Sequence, residues 1–582
     1  MRHKKTAIFL FVFSVVLSGY AQNSVTFDVN GATAVVQHEV FGLLMERLGR
    51  QWSAIYDPSK PNTNGMRNDV IEGFKECGVG CAQWPGGCAA NGYNWSSAKN
   101  PSNDVGVDRF IEFCKLTGAE ACIVGKPNAN DAASNEAFAK YVIEDLDYPL
   151  KWFKVGNEIW GGCGTNYTGG YSSAFSANYD RLKNLRETEN GKNLKIIAAA
   201  NSSEGNYSWI SGYYDNLGEK MDGIEYHDYI YHPDNISSSN PSESNYWQIM
   251  REILSSDFAA HFKTIVSEMD KKDPQKRVKM VMDEWGNWLQ DLGDGWMQHN
   301  SVMDAVGAGA HLNMFISNAD RVGIAALAQG VNVIQSIINI NQSGVMVKTT
   351  SFYVFKMYKP HHTDNAKFAP ITASNFNNVN GNVPSGNAAA TVDDNGIVNI
   401  SITNVDLAST HDVTVTLTSD AEKYTVKSAE VVTGPALNSG NDFGKDEVVN
   451  IKTLDESNYS LEDEGKTLKV TMPTKSVVMV RLQPPTSTYR QHGNMLNNSV
   501  DAFSIKAGPQ GTIITSSASR KTPVTISLYS VDGRVLLDKV SKTFDAGSNS
   551  FVLKNNTTGA GVYLVKINGT GINLTKQVIV SR

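Results

Sequence analysis

Trp152-Phe153-Lys154-Val155-Gly156-Asn157-Glu158-Ile159-Trp160-Gly161-Gly162 is the stretch on which the fold turns. Its apolar run (Trp152, Phe153, Val155) has the length and composition of a buried strand, and Gly156 then frees the backbone so that Asn157 and Glu158 project beyond the strand's end. A second stretch repeats the design: Val278, Met280, Val281 and Met282 form an apolar run, and Asp283-Glu284-Trp285-Gly286 follows it. Two glutamates thus stand at two strand ends, where a barrel enzyme keeps its chemistry. Paired carboxylates in one cleft are the apparatus of glycoside hydrolysis, one protonating the leaving oxygen while the other stabilises or attacks the sugar cation. Glu158 suits the first part and Glu284 the second. A solvated surface glutamate is the plain alternative for either residue alone, and the repeated design argues against it.

Outward from these two stretches, apolar runs alternate with segments of helical period. Strands are expected at 41–45, 80–84, 120–124, 152–155, 195–199, 223–226, 279–283 and 322–326, with helices at 68–77, 108–116 and 135–143 among the segments between them. Eight strands, each followed by a helix or loop, predict an α/β fold of the (β/α)8 TIM-barrel type. Beyond Pro360 the texture changes to short alternating strands with turns such as Asp394-Asn395-Gly396, which predicts an antiparallel β-sandwich. A polar linker follows Pro484-Pro485, and a small all-β module ends the chain. The expected division is 1–21 export signal, 22–39 strands pairing with the sandwich, 40–345 catalytic barrel, 346–485 sandwich, 486–497 linker and 498–582 C-terminal module.

Composition narrows the function. The chain has 582 residues, 41% hydrophobic and 19% charged, with a net charge of -7. Acidity argues against nucleic acid or an anionic membrane as partner, whereas a neutral polysaccharide meets no such repulsion. The first 21 residues carry a basic start (Arg2, Lys4, Lys5), an apolar run from Ala7 to Leu17, and small Gly19 and Ala21 before Gln22. This pattern predicts an export signal, too short to anchor in a bilayer, and hence a secreted or cell-surface protein. The six cysteines (Cys77, Cys81, Cys88, Cys114, Cys122, Cys163) are an even set, which in an exported chain suggests disulfides among fifteen possible pairings. Their spacing lacks the paired knuckles of a structural zinc site, so no metal and no cofactor is expected.

At the level of motifs the chain resembles the retaining α-L-arabinofuranosidases, glycoside hydrolase family 51, of the clan of (β/α)8 hydrolases. Gly156-Asn157-Glu158-Ile159-Trp160-Gly161 and Met282-Asp283-Glu284-Trp285 are similar to that family's acid/base and nucleophile motifs. Phe41 to Arg50 with Ile55 to Pro58, Trp84-Pro85-Gly86-Gly87 with Tyr93-Asn94-Trp95, Asn318 to Arg321 with Ala328 to Asn332, and Tyr353 to Pro360 follow its pattern in order, over roughly residues 24 to 485. The resemblance implies a retaining hydrolase of plant cell-wall polysaccharide or oligosaccharide, with arabinan or arabinoxylan as first choice. An endo-β-1,4-glucanase or xylan-active enzyme is the near alternative, and a non-catalytic polysaccharide-binding surface protein the alternative of another class. It further implies a homo-oligomer, family members often being hexamers.

By the same resemblance Glu46, Asn157 and Gln329 hold sugar hydroxyls, and His227 and Tyr229 form a His-x-Tyr pair whose tyrosine bonds the nucleophile. Trp84 and Trp285, with Trp160, Trp288 and Trp296, are candidates to stack on sugar rings. Two departures stand out: Gln83 and Cys88 occupy positions where the family has a sugar-gripping arginine and asparagine. Cys88 and Cys163 both belong on rim loops of the catalytic face, and a disulfide between them is one expectation; pairing with Cys77 or Cys81, or none, stays open. In the tail, Leu528 to Arg534 and Gly561 to Lys566 resemble the C-terminal sorting modules of type IX secretion, implying the secretion machinery as partner, with a carbohydrate-binding sandwich as the alternative.

Overall fold

The computed structural model describes residues 23–485, apart from 102–103, 202–206 and 422, together with the strands between 502 and 580 and a few residues beside them. The export signal read at 1–21 and the linker read at 486–497 lie outside the described residues. Contacts divide the chain into two compact units meeting near residue 490.

Eight parallel strands close a barrel in chain order: Gly42–Leu44, Cys81–Trp84, Glu120–Gly125, Trp152–Val155, Lys195–Ala198, Gly223–Ser237, Lys279–Gln290 and Val322–Leu327, the last returning to pair with the first. Alternation along each strand sorts the side chains. Cys81, Cys122, Trp152, Ile197, Val281, Ile324 and Ala326 fill the barrel's interior, while Ala82, Trp84, Ile123, Phe153, Met280 and Met282 join the larger core beneath the helices. Two positions further along, the inward side carries Gln83, Lys154 and Asp283 in place of apolar residues, all fully buried.

The sixth and seventh strands outrun the others. Their parallel pairing continues to Leu289↔His232, whereas the seventh strand leaves the eighth at Trp285↔Leu327. The expected ends at 226 and 283 marked only where the apolar runs stop; the ladder goes on because each strand supplies the other's backbone partners irrespective of polarity. Glu284 therefore lies within a strand that rises as a two-stranded ribbon above the barrel.

The eighth helix, Thr350–Tyr358, packs against Val302–Ile316 and Asn68–Cys77 and closes the barrel's outer layer. The division expected at 345 falls before this helix, whose apolar residues belong to the barrel core. Of the strands expected within 22–39, Asn23–Asp28 forms, while the later part keeps a single bridge, Val35 with Lys367. The sandwich comprises a five-stranded and a six-stranded sheet over a core that includes Val25, Phe27, Ile400, Val415, Val478 and Leu482. The five-stranded sheet has Asn23–Asp28 as its second strand, parallel to the central His411–Thr418 and antiparallel to the edge strand Ile371–Asn375. The outer face of the six-stranded sheet rests on Val302–Ile316, where Asn313 and Ser401 share a hydrogen bond.

The second unit is all β, with a three-stranded and a four-stranded antiparallel sheet. Its core includes Val524, Ile526, Leu528, Phe544, Val565 and Ile567. Among the described residues no helix is long and apolar enough to cross a membrane.

Candidate active site

The fourth strand ends at Val155, and Gly156 turns the chain with a left-handed φ of 84°. Asn91 holds this turn through both polar atoms of its amide: its Nδ2 donates to the Asn157 carbonyl (2.7 Å), and the Asn157 N–H donates to its Oδ1 (3.0 Å). Glu158 follows at φ 45°, a conformation costly for a residue with a Cβ. A Cβ at Gly162 would lie 2.3 Å from Glu158 Oε2, so the carboxylate occupies space that only glycine leaves open. Cys88 and Cys163 are joined in a disulfide with Cα atoms 5.1 Å apart. Their sulfurs stand 3.9 and 3.7 Å from Glu158 Oε2 and wall that side of the carboxylate. The other four cysteines are buried free thiols, the interior packing of a small apolar residue.

Glu284 enters from the seventh strand. Tyr229, on the neighbouring sixth strand, donates its hydroxyl to Glu284 Oε2 at 2.8 Å. His227 lies between the two glutamates: Nδ1 is 3.0 Å from Glu158 Oε1 and 3.5 Å from Glu284 Oε2. Its Nε2 faces Glu225 Oε1 (2.8 Å) and Asp283 Oδ1 (3.0 Å). Both ring nitrogens thus meet carboxylate oxygens, an arrangement satisfied by an imidazolium donating on each side. Burial alone would discharge the ring, but the negative charges of Glu284, Glu225 and Asp283 outweigh it and hold His227 well above its ordinary pKa. One carboxylate oxygen of Glu158 and one of Glu284 lie within 4.8 Å of each other.

Beneath this layer sits a second cation. Lys154, wholly buried, donates to Asp283 Oδ2 (2.5 Å), Glu225 Oε1 (2.7 Å) and Asn157 Oδ1 (2.7 Å). Burial opposes its charge, yet Asp283, Glu225 and Glu284 keep it above the usual lysine value. Burial likewise opposes the charge on Asp283, and Lys154 and His227 overcome it, so that this carboxyl lies below its usual range. Two cations face five carboxyls, counting Glu46. The imbalance shows at Glu284, which burial, with Glu158 and Glu46 adding and His227 opposing, pushes up to about 8.

Of the expected hydroxyl-holding residues, Glu46 and Gln329 meet, whereas Asn157 is held apart from them by Lys154. Gln329 Nε2 donates to Glu46 Oε2 (3.2 Å), the Ala89 N–H reaches Glu46 Oε1 (3.3 Å), and Gln51 Nε2 fixes Gln329 through its Oε1 (2.9 Å). Arg47 and Arg50 pair instead with Asp104 and Asp294. Burial raises the Glu46 carboxyl.

Trp84 and Trp285 correct the sequence reading. Both are fully buried and face the helices: Trp84 stacks on Phe110 (5.1 Å, 12°), and Trp285 packs edge-on against Phe315 (5.2 Å). Trp84 follows the inward-facing Gln83, so strand alternation turns it away from the cleft; on the seventh strand the register shifts between Met282 and Glu284, and beyond that shift Trp285 faces the helices. Gln83 itself is buried with neither amide atom hydrogen-bonded.

Sequence reasoning missed Lys154, Glu225, Asp283 and Asn91 as parts of the site. The first three had a legible sign, a charged residue at an inward position of an otherwise apolar strand, where burial demands partners. Asn91 had none, since its role depends on where the loop after the second strand folds. His227 takes part in two of the three groups whose donor atoms crowd within 4.8 Å among the described residues, Glu158–His227–Glu284 and Glu225–His227–Asp283; in the third, Cys88–Glu158–Cys163, the sulfurs are joined to each other. A doubly donating imidazolium has no free lone pair for a metal.

Residues 283–476 match the family described as "Alpha-L-arabinofuranosidase C-terminal domain", and residues 508–581 match "Secretion system C-terminal sorting domain". An intracellular exo-alpha-L-arabinofuranosidase of Bacteroides ovatus is 28% identical over 520 residues, 81% of this chain and 97% of its own length. An intracellular exo-alpha-(1->5)-L-arabinofuranosidase of Bifidobacterium longum is 24% identical over 66% of this chain and 78% of its own. Among solved structures, the GH51 arabinofuranosidase of Xanthomonas axonopodis pv. citri superposes with a TM-score of 0.70 at 26% identity, covering 79% of this chain and all of that one. The sorting match points to export and the cell surface, which sets this chain apart from the two relatives named as intracellular.

Proposed function

We propose, because this chain belongs to glycoside hydrolase family 51, the retaining α-L-arabinofuranosidases, that it releases arabinofuranose from plant cell-wall arabinan or arabinoxylan by double displacement. The observation that supports the mechanism is that a carboxylate oxygen of Glu158 and one of Glu284 lie no more than 4.8 Å apart, on the side of the range, about 5–5.5 Å and below, where one carboxylate attacks directly. An inverting enzyme needs roughly 6.5–9.5 Å to admit a water between them. Glu284 attacks the anomeric carbon while Glu158 gives its proton to the departing oxygen. Glu158, then a carboxylate, takes a proton from water as that water breaks the glycosyl ester. Tyr229 aims the attacking oxygen, and Glu46, Gln329 and Asn157 are placed to hold the sugar's hydroxyls. The protein reaches its polymer outside the cell through an N-terminal export signal and the C-terminal sorting domain.

Glu158→Ala should keep turnover of aryl arabinofuranosides with very good leaving groups, and azide should restore activity by giving the arabinosyl azide of retained configuration. Glu284→Ala should be inactive on every substrate. Inverted product from the parent enzyme, followed by proton NMR, would remove the assignment. A panel of debranched arabinan, arabinoxylan, carboxymethyl cellulose and mixed-linkage glucan fixes the sugar. Gln83 and the Cys88–Cys163 bridge, standing where the family grips arabinose, favour the endo-glucanase reading if only the glucans are cut.

A further inference from the structure

Above the barrel, the ribbon of the sixth and seventh strands carries a continuous aromatic face. Tyr229, which bonds Glu284, packs its ring edge-on against Trp288 (5.2 Å, 71°). Trp288 in turn meets Tyr231 (5.2 Å, 75°), its partner across the ladder, and Trp296 (5.6 Å, 76°). Burial falls along this series: Tyr229 and Trp288 are half-buried, but Trp296 is 40% and Tyr231 58% exposed. Two large rings left in water would be a cost without purpose in an isolated molecule, and here they continue directly from the nucleophile's own tyrosine.

Trp296 is also held where it stands. Its backbone is left-handed, φ 76°, in a region that a bulky residue occupies only when its surroundings over-determine it. Arg50 clamps the same loop through a two-pronged pair with Asp294 (3.0 and 2.6 Å) and a further bond to the Ile340 carbonyl. The Trp296 carbonyl accepts from Ile334 N–H at 2.8 Å, and Leu292 N–H bonds Met297 across the loop. Gly49 approaches Gly295 so closely that a Cβ there would lie 2.4 Å from its carbonyl oxygen. A strained, exposed indole fixed by this many anchors is a preorganised contact surface.

We infer that Trp296 and Tyr231 form an outer stacking platform for the neutral sugar chain that continues from the scissile bond, so that the enzyme is built for polymer rather than for short oligosaccharide. The inference rests on the proposed glycosidase reading and deepens it. The faces of sugar rings are apolar and their rims carry hydroxyls, so flat aromatic rings bind them without discriminating charge. The ion pair beneath Trp296, Arg50–Asp294, is neutralised internally, which suits an uncharged chain.

Trp296→Asn and Tyr231→Ala, singly and together, test it in the full chain. Asparagine tolerates the left-handed backbone, so the first variant removes the ring without adding strain. The readout is kcat/KM on arabinoxylan or linear arabinan divided by kcat/KM on an aryl arabinofuranoside. Covering roughly 50 Å² of ring face per sugar corresponds to about tenfold in affinity. Each single variant should lower the ratio about tenfold, through KM on the polymer, and the double variant further. An unchanged ratio overturns the platform. A second readout, retardation of Glu284→Gln protein in native gels containing the polymer, with and without the two substitutions, does not depend on turnover. If the parent enzyme cleaves no arabinofuranoside, the function proposed above falls, while the gel still decides the platform: retardation lost with the two rings supports it, and retardation unaffected or absent in both proteins refutes it.

Discussion

Replacing Lys154 by methionine, which keeps the volume and removes the charge, tests the buried ion layer beneath the two glutamates. At an effective dielectric of about 20, the contacts at 2.5 and 2.7 Å each represent about 6 kcal/mol of attraction, set against a desolvation cost of several kcal/mol per ion. What a variant reads is the state left behind: Asp283 and Glu225, both fully buried, would keep His227 as their one cation, with the Ala200 N–H still donating to Glu225. Stranding such a charge costs about 3–5 kcal/mol. The pH dependence follows from Asp283. Its folded pKa lies below the unfolded value, so its contribution to stability is complete above about pH 4 and is lost as pH falls through the depressed folded value. The deficit of Lys154→Met should therefore be full at pH 7 and shrink below about pH 4. Lys154→Met/Asp283→Asn should recover part of it, because one stranded charge is gone. Urea unfolding followed by tryptophan fluorescence at pH 7 and pH 4 measures all three. A deficit under about 1 kcal/mol at pH 7, or one indifferent to pH, would show that the layer is held neutral by protons and that the charge balance described above is wrong.

Glu284, which burial pushes up to about 8, must be ionised to attack, so kcat/KM should rise as pH is raised through an apparent value near 8, and a profile flat from about pH 6 to 9.5 would contradict it. Tyr229→Phe removes a hydrogen bond to a charged acceptor, about 1.5–3 kcal/mol, so kcat should drop roughly 10- to 150-fold with the fold intact; unaltered kcat would deny the tyrosine its aiming role. Cys88→Ser/Cys163→Ser opens a bridge spanning 75 positions, which lowers global stability by up to about 4 kcal/mol while leaving the barrel's circular dichroism unchanged and shifting relative rates among aryl glycosides; identical substrate preference would free the bridge of any part in shaping the cleft.

How far the sequence reached can be seen residue by residue. Glu158 and Glu284 were legible because each follows an apolar run at a point where the pattern breaks, and the barrel was legible because eight such runs recur. The distance between the two carboxylates was not, since it arises only when the fourth and seventh strands come round to face one another. Trp84 and Trp285 were misjudged because a motif names neighbours without saying on which side of a strand they fall; one step of alternation separates cleft from core. Lys154 was visible as a charge inside an apolar run, but of its three partners only Asn157 is local; Glu225 and Asp283 come from the sixth and seventh strands, and nothing in the sequence connects them to it. The ribbon above the barrel escaped for a related reason: its ladder is kept up by backbone pairing between two strands whose side chains there are mixed.

The place of Asn23–Asp28 between two later strands of its sheet has a consequence for the order in which the molecule can be finished. Both of this strand's neighbours, Ile371–Asn375 and His411–Thr418, are made several hundred residues after it. At a synthesis rate of about 5–20 residues per second, the delay is on the order of tens of seconds. Throughout it Val25 and Phe27 have no sheet to cover them, and the chain waits in an incomplete state for its own far end. Slow completion of this kind is a drawback for a protein that must fold where it is made. For one carried across a membrane before it folds, it is a timer that keeps the leading end pliable until the rest has followed.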